Sequence, residues 1–196
     1  TMCVLGTLIF IIGQFTWSLF SFKEAFWIVS SLACEDVILK CKFYRTYSSF
    51  AKIIGDVDLS LKMVKSAYEL SHELPYERLL SASQFALFLA DSKRENSTQK
   101  DNQQEITLVE EILKLSNVYW VHESEEYAYA MKSIAKIYLH LHEFDKSMEY
   151  IEKAKHSYTL LHGAKHHSIA ECYSIVGDIY KCRYSHNALN YESKLL

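Results

Sequence analysis

Met131-Lys132-Ser133-Ile134-Ala135-Lys136-Ile137-Tyr138, followed by Leu141, Phe144, Ser147, Ile151 and Ala154, decides how this chain folds. Intervals of three and four put Met131, Ile134, Ala135 and Tyr138 on one helix face, and Phe144, Ser147, Ile151 and Ala154 on a second. His142-Glu143 falls between the two faces and reads as the turn. Forty-two residues on, Tyr173-x-x-Val176-Gly177-x-x-Tyr180 repeats the first half, and Ala188-Leu189 with Tyr191 supplies the outline of another second helix. A helical pair that recurs at a fixed interval is the mark of a repeat architecture, because one pair alone cannot bury its apolar face.

Working outward, Tyr44-x-x-Tyr47-Ser48-x-x-Ala51 leads through Gly55-Asp56 to Val57, Ser60, Val64 and Ala67. Gly55 suits the inter-helix turn because glycine tolerates positive φ. Earlier still, Ile9-x-x-Ile12-Gly13 leads to Phe22-x-x-Ala25 and Val29. Residues 77–90 form a helix with Phe85-Ala86-x-x-Leu89, and its partner is expected over residues 105–119, carrying Ile106, Val109, Leu113 and Ser116. Between them residues 92–104, SKRENSTQKDNQQ, contain no apolar side chain and read as an exposed insertion.

These residues resemble the tetratricopeptide repeat, whose pattern runs aromatic, Leu-Gly, Tyr, then Ala, Phe, Ala at fixed offsets. The small residues Ala135, Gly177 and Ala154 stand where paired helices cross closely, and Tyr138 and Ile151 fill the space beside them. Gly163-Ala164-Lys165-His166-His167-Ser168-Ile169-Ala170 is similar to the Gly-x-x-His-Pro-x-x-Ala link of the 42-residue, kinesin-light-chain type of repeat, with His167 in place of proline. The resemblance implies an all-α, right-handed solenoid of about five antiparallel helix pairs. They are expected near residues 3–33, 36–74, 77–118, 125–161 and 168–196, as one domain over 1–196.

Composition agrees with this reading. One proline, Pro75, and five glycines leave too few turn formers for a sheet-rich fold. A formal net charge of -3 provides no basic field for nucleic acid. The odd cysteine count (Cys3, Cys34, Cys41, Cys172, Cys182) and the absence of Cys-x-x-Cys argue for reduced, packed thiols in a cytoplasmic chain. Residues 2–20 carry no charge, yet Gln14, Thr16 and Ser18 and the fit to the repeat favour a buried first pair over a membrane span.

Catalytic motifs are missing: the sequence holds no phosphate-binding glycine loop, nucleophile elbow or His-Glu-x-x-His. His140 and His142 do not share a helix face. His162, His166 and His167 cluster in a link without a completing ligand pattern. No metal, no cofactor and no enzymatic activity are expected.

The resemblance places binding on a concave groove lined by the first helix of each pair. The side chains projected there are Lys42, Arg45, Ser49 and Lys52, then Tyr129, Lys132, Lys136 and His140, then Glu171, Ser174 and Asp178. Such a groove is mostly basic with an acidic end and suits an acidic peptide or a terminal carboxylate. Ser49 and Lys136 stand where carboxylate-clamping relatives use asparagine, so that activity is not carried over. The expected function is a protein-interaction scaffold. The alternatives are a helical portion of a larger signalling or motor-adaptor protein, and a helical protein anchored in a membrane by residues 2–20.

Overall fold

The computed structural model describes residues 15–31, 36–92, 102–119 and 124–192. Ile9, Ile12 and Gly13 of the first expected pair, and residues 93–101 of the insertion, lie outside them. The described residues form helices and no strand. They fall into two compact units, Thr1–Ser81 and Ala82–Leu196.

In the first unit, α1 (Phe15–Ser31), α2 (Val37–Ile53) and α3 (Val57–Leu70) enclose an aromatic core of Phe22, Ala25, Phe43, Tyr47, Phe50 and Met63. Phe22 stacks on Phe50 with ring centroids 4.5 Å apart and on Tyr47 at 5.4 Å. Phe22, Ala25, Phe26 and Val29 recur at helical spacing, which is why one face of α1 meets this core. The α2–α3 turn has the expected chemistry. Gly55 takes φ 85°, and the Asp56 carboxylate accepts from the Leu59 amide at 3.0 Å, capping α3. Pro75 opens α4 (Pro75–Ser92), where its missing N–H costs nothing. Arg78 ties that start to α3, donating to the Tyr68 carbonyl at 2.7 Å and lying 3.5 Å over the Tyr68 ring. The division between the units falls within α4, and every residue from Ser81 to Phe88 is buried.

The second unit continues with α5 (Gln103–Tyr119), α6 (Glu125–His140), α7 (Phe144–His162) and α8 (His167–Glu192). α6 and α7 are the hairpin read first in the sequence. Ser124 caps α6 by accepting from the Tyr127 amide at 3.1 Å, with Glu125 and Glu126 in the first turn and His140 in the last, as the helix dipole favours. The turn is closed by His142 at φ 60°, a non-glycine residue in the left-handed region. Ile134, Ala135, Ile151 and Ala154 are fully buried between the helices. Each large apolar side chain so buried stabilises by about 1.5–3 kcal/mol relative to exposure.

Three expectations are corrected. Residues 168–196 were expected to form a helix pair, but His167 to Glu192 is one continuous helix without a turn near residue 185. No glycine or proline occurs between residues 178 and 192, so nothing local forces a break. The α8 core face is also shifted. Ile169, Cys172, Ile175 and Ile179 are buried, whereas Tyr173 and Tyr180 are mostly exposed. In α5 the inward residues are Leu108, Val109, Ile112 and Ser116, while Ile106 is 40% exposed and Leu113 half-buried. The apolar residues of α5 occupy a wide arc, and packing selected its other edge.

The equivalent serines of the two hairpins differ. Buried Ser147 Oγ donates to the Ala135 carbonyl at 2.7 Å across the α6–α7 crossing. Ser60, equally buried at the same place on α3, has no hydrogen-bond partner for its hydroxyl. Ser147→Ala is therefore expected to lower stability by about 1 kcal/mol, while Ser60→Ala is neutral or stabilising. Urea denaturation of both variants followed by circular dichroism checks this, and equal losses contradict it.

Candidate protein-binding groove

The residues projected onto a groove fall in both units. On α2, Lys42 and Lys52 are exposed. Ser49 is turned onto its own helix, donating from Oγ to the Arg45 carbonyl at 3.2 Å. Arg45 is not presented to a partner. Its guanidinium reaches α4, 2.5 Å from the Glu77 carboxylate and 3.2 Å from Ser81 Oγ, with side-chain exposures of 13% for Arg45 and 3% for Glu77. It acts as an internal tie because a buried guanidinium needs a carboxylate beside it.

The second unit brings the remaining residues together. Tyr129, Lys132, Lys136 and His140 recur along one face of α6, and Glu171, Ser174 and Asp178 along the facing side of α8. They line two adjoining recesses. The larger, about 650 Å³ and open to solvent, is bounded by Tyr129, Lys132, Lys136, Glu171, Ser174 and Asp178 over a floor of Leu87 and Ile175. The smaller, about 400 Å³, shares Lys136, Ile175 and Asp178 and adds Ala90, Asp91, Leu139 and His140. The walls thus come from α4, α6 and α8, and α7 contributes nothing to either recess.

The charge of this groove differs from the expected basic one. Lys132 Nζ lies 2.6 Å from Glu171 Oε2 with only 13% of its side chain exposed. It also sits 5.4 Å from the Tyr129 ring centroid and 5.6 Å from that of Tyr158. Desolvation raises the Glu171 pKa, but the hydrogen bond and charge of Lys132, with His167 and Lys136, outweigh it. The carboxyl ends below its ordinary value. Glu171 therefore keeps its charge to lower pH than an unpaired glutamate. The charge of Lys132 is balanced by Glu171, and Lys136 lines the same recesses as Asp178 and Asp91. The surface is of mixed sign.

Leu87, Ala90 and Asp91 were missed from the sequence. They recur at three and four residues, but on a different stripe from Phe85, Ala86 and Leu89, and the apolar stripe drew the reading. Cys172, beside this groove, is fully buried, and burial pushes its thiol above the usual value. Cys41 is likewise buried and raised, and its Sγ donates to the Ala67 carbonyl at 3.6 Å. Cys3 and Cys34 lie outside the described residues. In the α7–α8 link the His162 and His166 rings stack at 4.2 Å, and the His167 ring lies tilted against His166 at 4.1 Å. Desolvation, then His167 and His162, hold His166 below its ordinary pKa. No helix among the described residues is long and apolar enough to cross a membrane, and residues 2–14 lie outside them.

No protein-family model matches the chain, and no curated protein matches it. Among solved structures it is similar to the crystal structure of BtubC (BKLC) from P. vanneervenii. The two share 15% sequence identity with a TM-score of 0.66 over 96% of this chain and 80% of that one. At that identity the likeness speaks for the fold, an all-α helical repeat of the tetratricopeptide kind.

Proposed function

We propose that this chain is a protein-interaction scaffold that holds a partner segment in the groove between α6 and α8. One observation carries the reading. Tyr129, Lys132, Lys136, Glu171, Ser174 and Asp178 converge on one open recess with an apolar floor. A concave surface with a dry floor and fixed polar groups at its rim suits an extended peptide. The Lys132–Glu171 pair holds the walls, and exposed Ser174 and Asp178 stand at the rim where a partner would be oriented. The mixed charge of the lining favours a segment carrying charges of both signs over a purely acidic one.

The test places a photo-crosslinking residue at exposed Ser174 and compares the chain with a Lys136→Glu/Asp178→Lys variant of equal helicity. A partner captured by the first and lost, tenfold or more, in the second supports the groove. Capture that is indifferent to the charge swap removes it.

A further inference from the structure

The link from α7 to α8 gathers three imidazoles. His162 ends α7, and its ring stacks on Tyr158 at 6.4 Å and on His166 at 4.2 Å. The His167 ring, at the start of α8, meets His166 at 4.1 Å. His166 is half-buried, and the other two are exposed.

His166 also closes the start of α8. The Ser168 amide donates to its Nδ1 at 3.4 Å, and the Ile169 amide donates to its carbonyl oxygen at 3.0 Å. The first amides of a helix have no partner within it, so an acceptor here satisfies one of them. A backbone N–H can only donate. Nδ1 must therefore offer a lone pair, and the ring is neutral with its proton on Nε2. A protonated ring offers no acceptor, and it sets a cation at the positive end of the α8 dipole beside two further imidazoles.

The surroundings act in both directions. Desolvation, then His167 of α8 and His162 of α7, oppose a proton on His166, whereas Glu125 at the start of α6 and Glu171 of α8 favour one. The opposing influences prevail and hold the ring below its ordinary value. Exposed Lys165, the preceding residue, brings no counter-charge. A base held below its unfolded value takes up a proton more readily once the helix start opens. Its contribution to stability is thus complete above about pH 6.5 and is lost as pH falls from there through the folded value.

We propose that the α7–α8 link is a pH-sensitive latch, in which protonation of the His162–His166–His167 cluster releases the first turn of α8. That turn carries buried Ile169, and Glu171, 2.6 Å from Lys132, follows directly after it. Acid therefore loosens the Glu171 end of α8. The latch belongs to the fold and acts whether or not the recess holds a partner. Glu171 stays ionised through this range, its own value being lowered, so a change near pH 6.5 reports the imidazoles.

The experiment follows amide exchange of the full chain by mass spectrometry at about pH 7.5 and about pH 5, either side of the histidine range, with each rate divided by the intrinsic rate at its pH. Protection over residues 168–173 is expected to fall by about threefold in the wild type. Protection over residues 131–137 of α6 should hold, which excludes global unfolding. His166→Asn supplies an oxygen that accepts from the same amide and does not titrate, so it should keep its protection at both values. His162→Gln/His167→Gln should fall less than the wild type, and the His166 ring titration followed by NMR should move up towards its ordinary value. An equal fall in the wild type and His166→Asn overturns the proposal, because the response then belongs to other groups. An absent fall in the wild type overturns it too, as does a His166 titration that the double variant leaves unmoved. Should His166→Asn also lose protection in α6, the wild type and the double variant decide alone.

Discussion

Glu77→Ala should lower the stability of the Thr1–Ser81 unit by about 3–5 kcal/mol, the usual cost of stranding one member of a buried ion pair. Glu77 is almost wholly enclosed and meets a guanidinium that is itself largely buried. Removing the carboxylate leaves the largely buried Arg45 charge at the α2–α4 contact without its counter-charge, beside Ser81 Oγ. Water cannot enter easily to compensate. The pair also costs desolvation, so Arg45→Met/Glu77→Leu should recover most of the loss or exceed the wild type. Hydrogen exchange followed by mass spectrometry, read over residues 37–81, distinguishes these outcomes. A single variant within 1 kcal/mol of wild type would mean that the pair is solvated and the tie unimportant.

Ile151→Ala is the second large effect, about 2–5 kcal/mol. Ile151 is fully buried on α7, and α7 packs against both α6 and α8. Truncation removes apolar area from water exclusion and leaves a cavity that close-packed helices fill only partly. The damage should reach the groove, because α7 packs on α6 and α8, which supply two of its three walls. Leu160→Ala, on the same helix but 55% exposed, should stay within about 0.5 kcal/mol. Urea unfolding of both variants by circular dichroism supplies the comparison, and equal effects would contradict the assignment of Ile151 to the core.

Much of this architecture was legible beforehand because helical hairpins announce themselves locally. Gly55-Asp56 and His142-Glu143 marked turns that formed as read, and Ala135 and Ala154 marked a crossing that is buried, whereas Gly177, read the same way, is exposed. Periodicity says which face of a helix is apolar but not what covers it. Tyr173 and Tyr180 share the pattern of Met131 and Tyr138, yet α8 runs on where a covering helix was expected. Arg45 shows a second limit. A basic residue at a groove position looks the same in sequence whether it meets solvent or a carboxylate thirty-two residues away. Glu77, in the first turn of α4, reads as an ordinary dipole-compensating acid. The α6 and α8 residues that line the recess were legible because they recur on one face. Their mutual neutralisation was not, since pairing across helices depends on their separation.

The three-residue turns that join α2 to α3 and α6 to α7 have a kinetic consequence. Each brings together segments that are neighbours along the chain, so little loop-closure entropy opposes their meeting. Chains dominated by such short-range encounters fold on microsecond-to-millisecond timescales. Each hairpin can begin the process without waiting for a distant partner, and the newly made protein spends little time with its tyrosines and isoleucines open to misassociation.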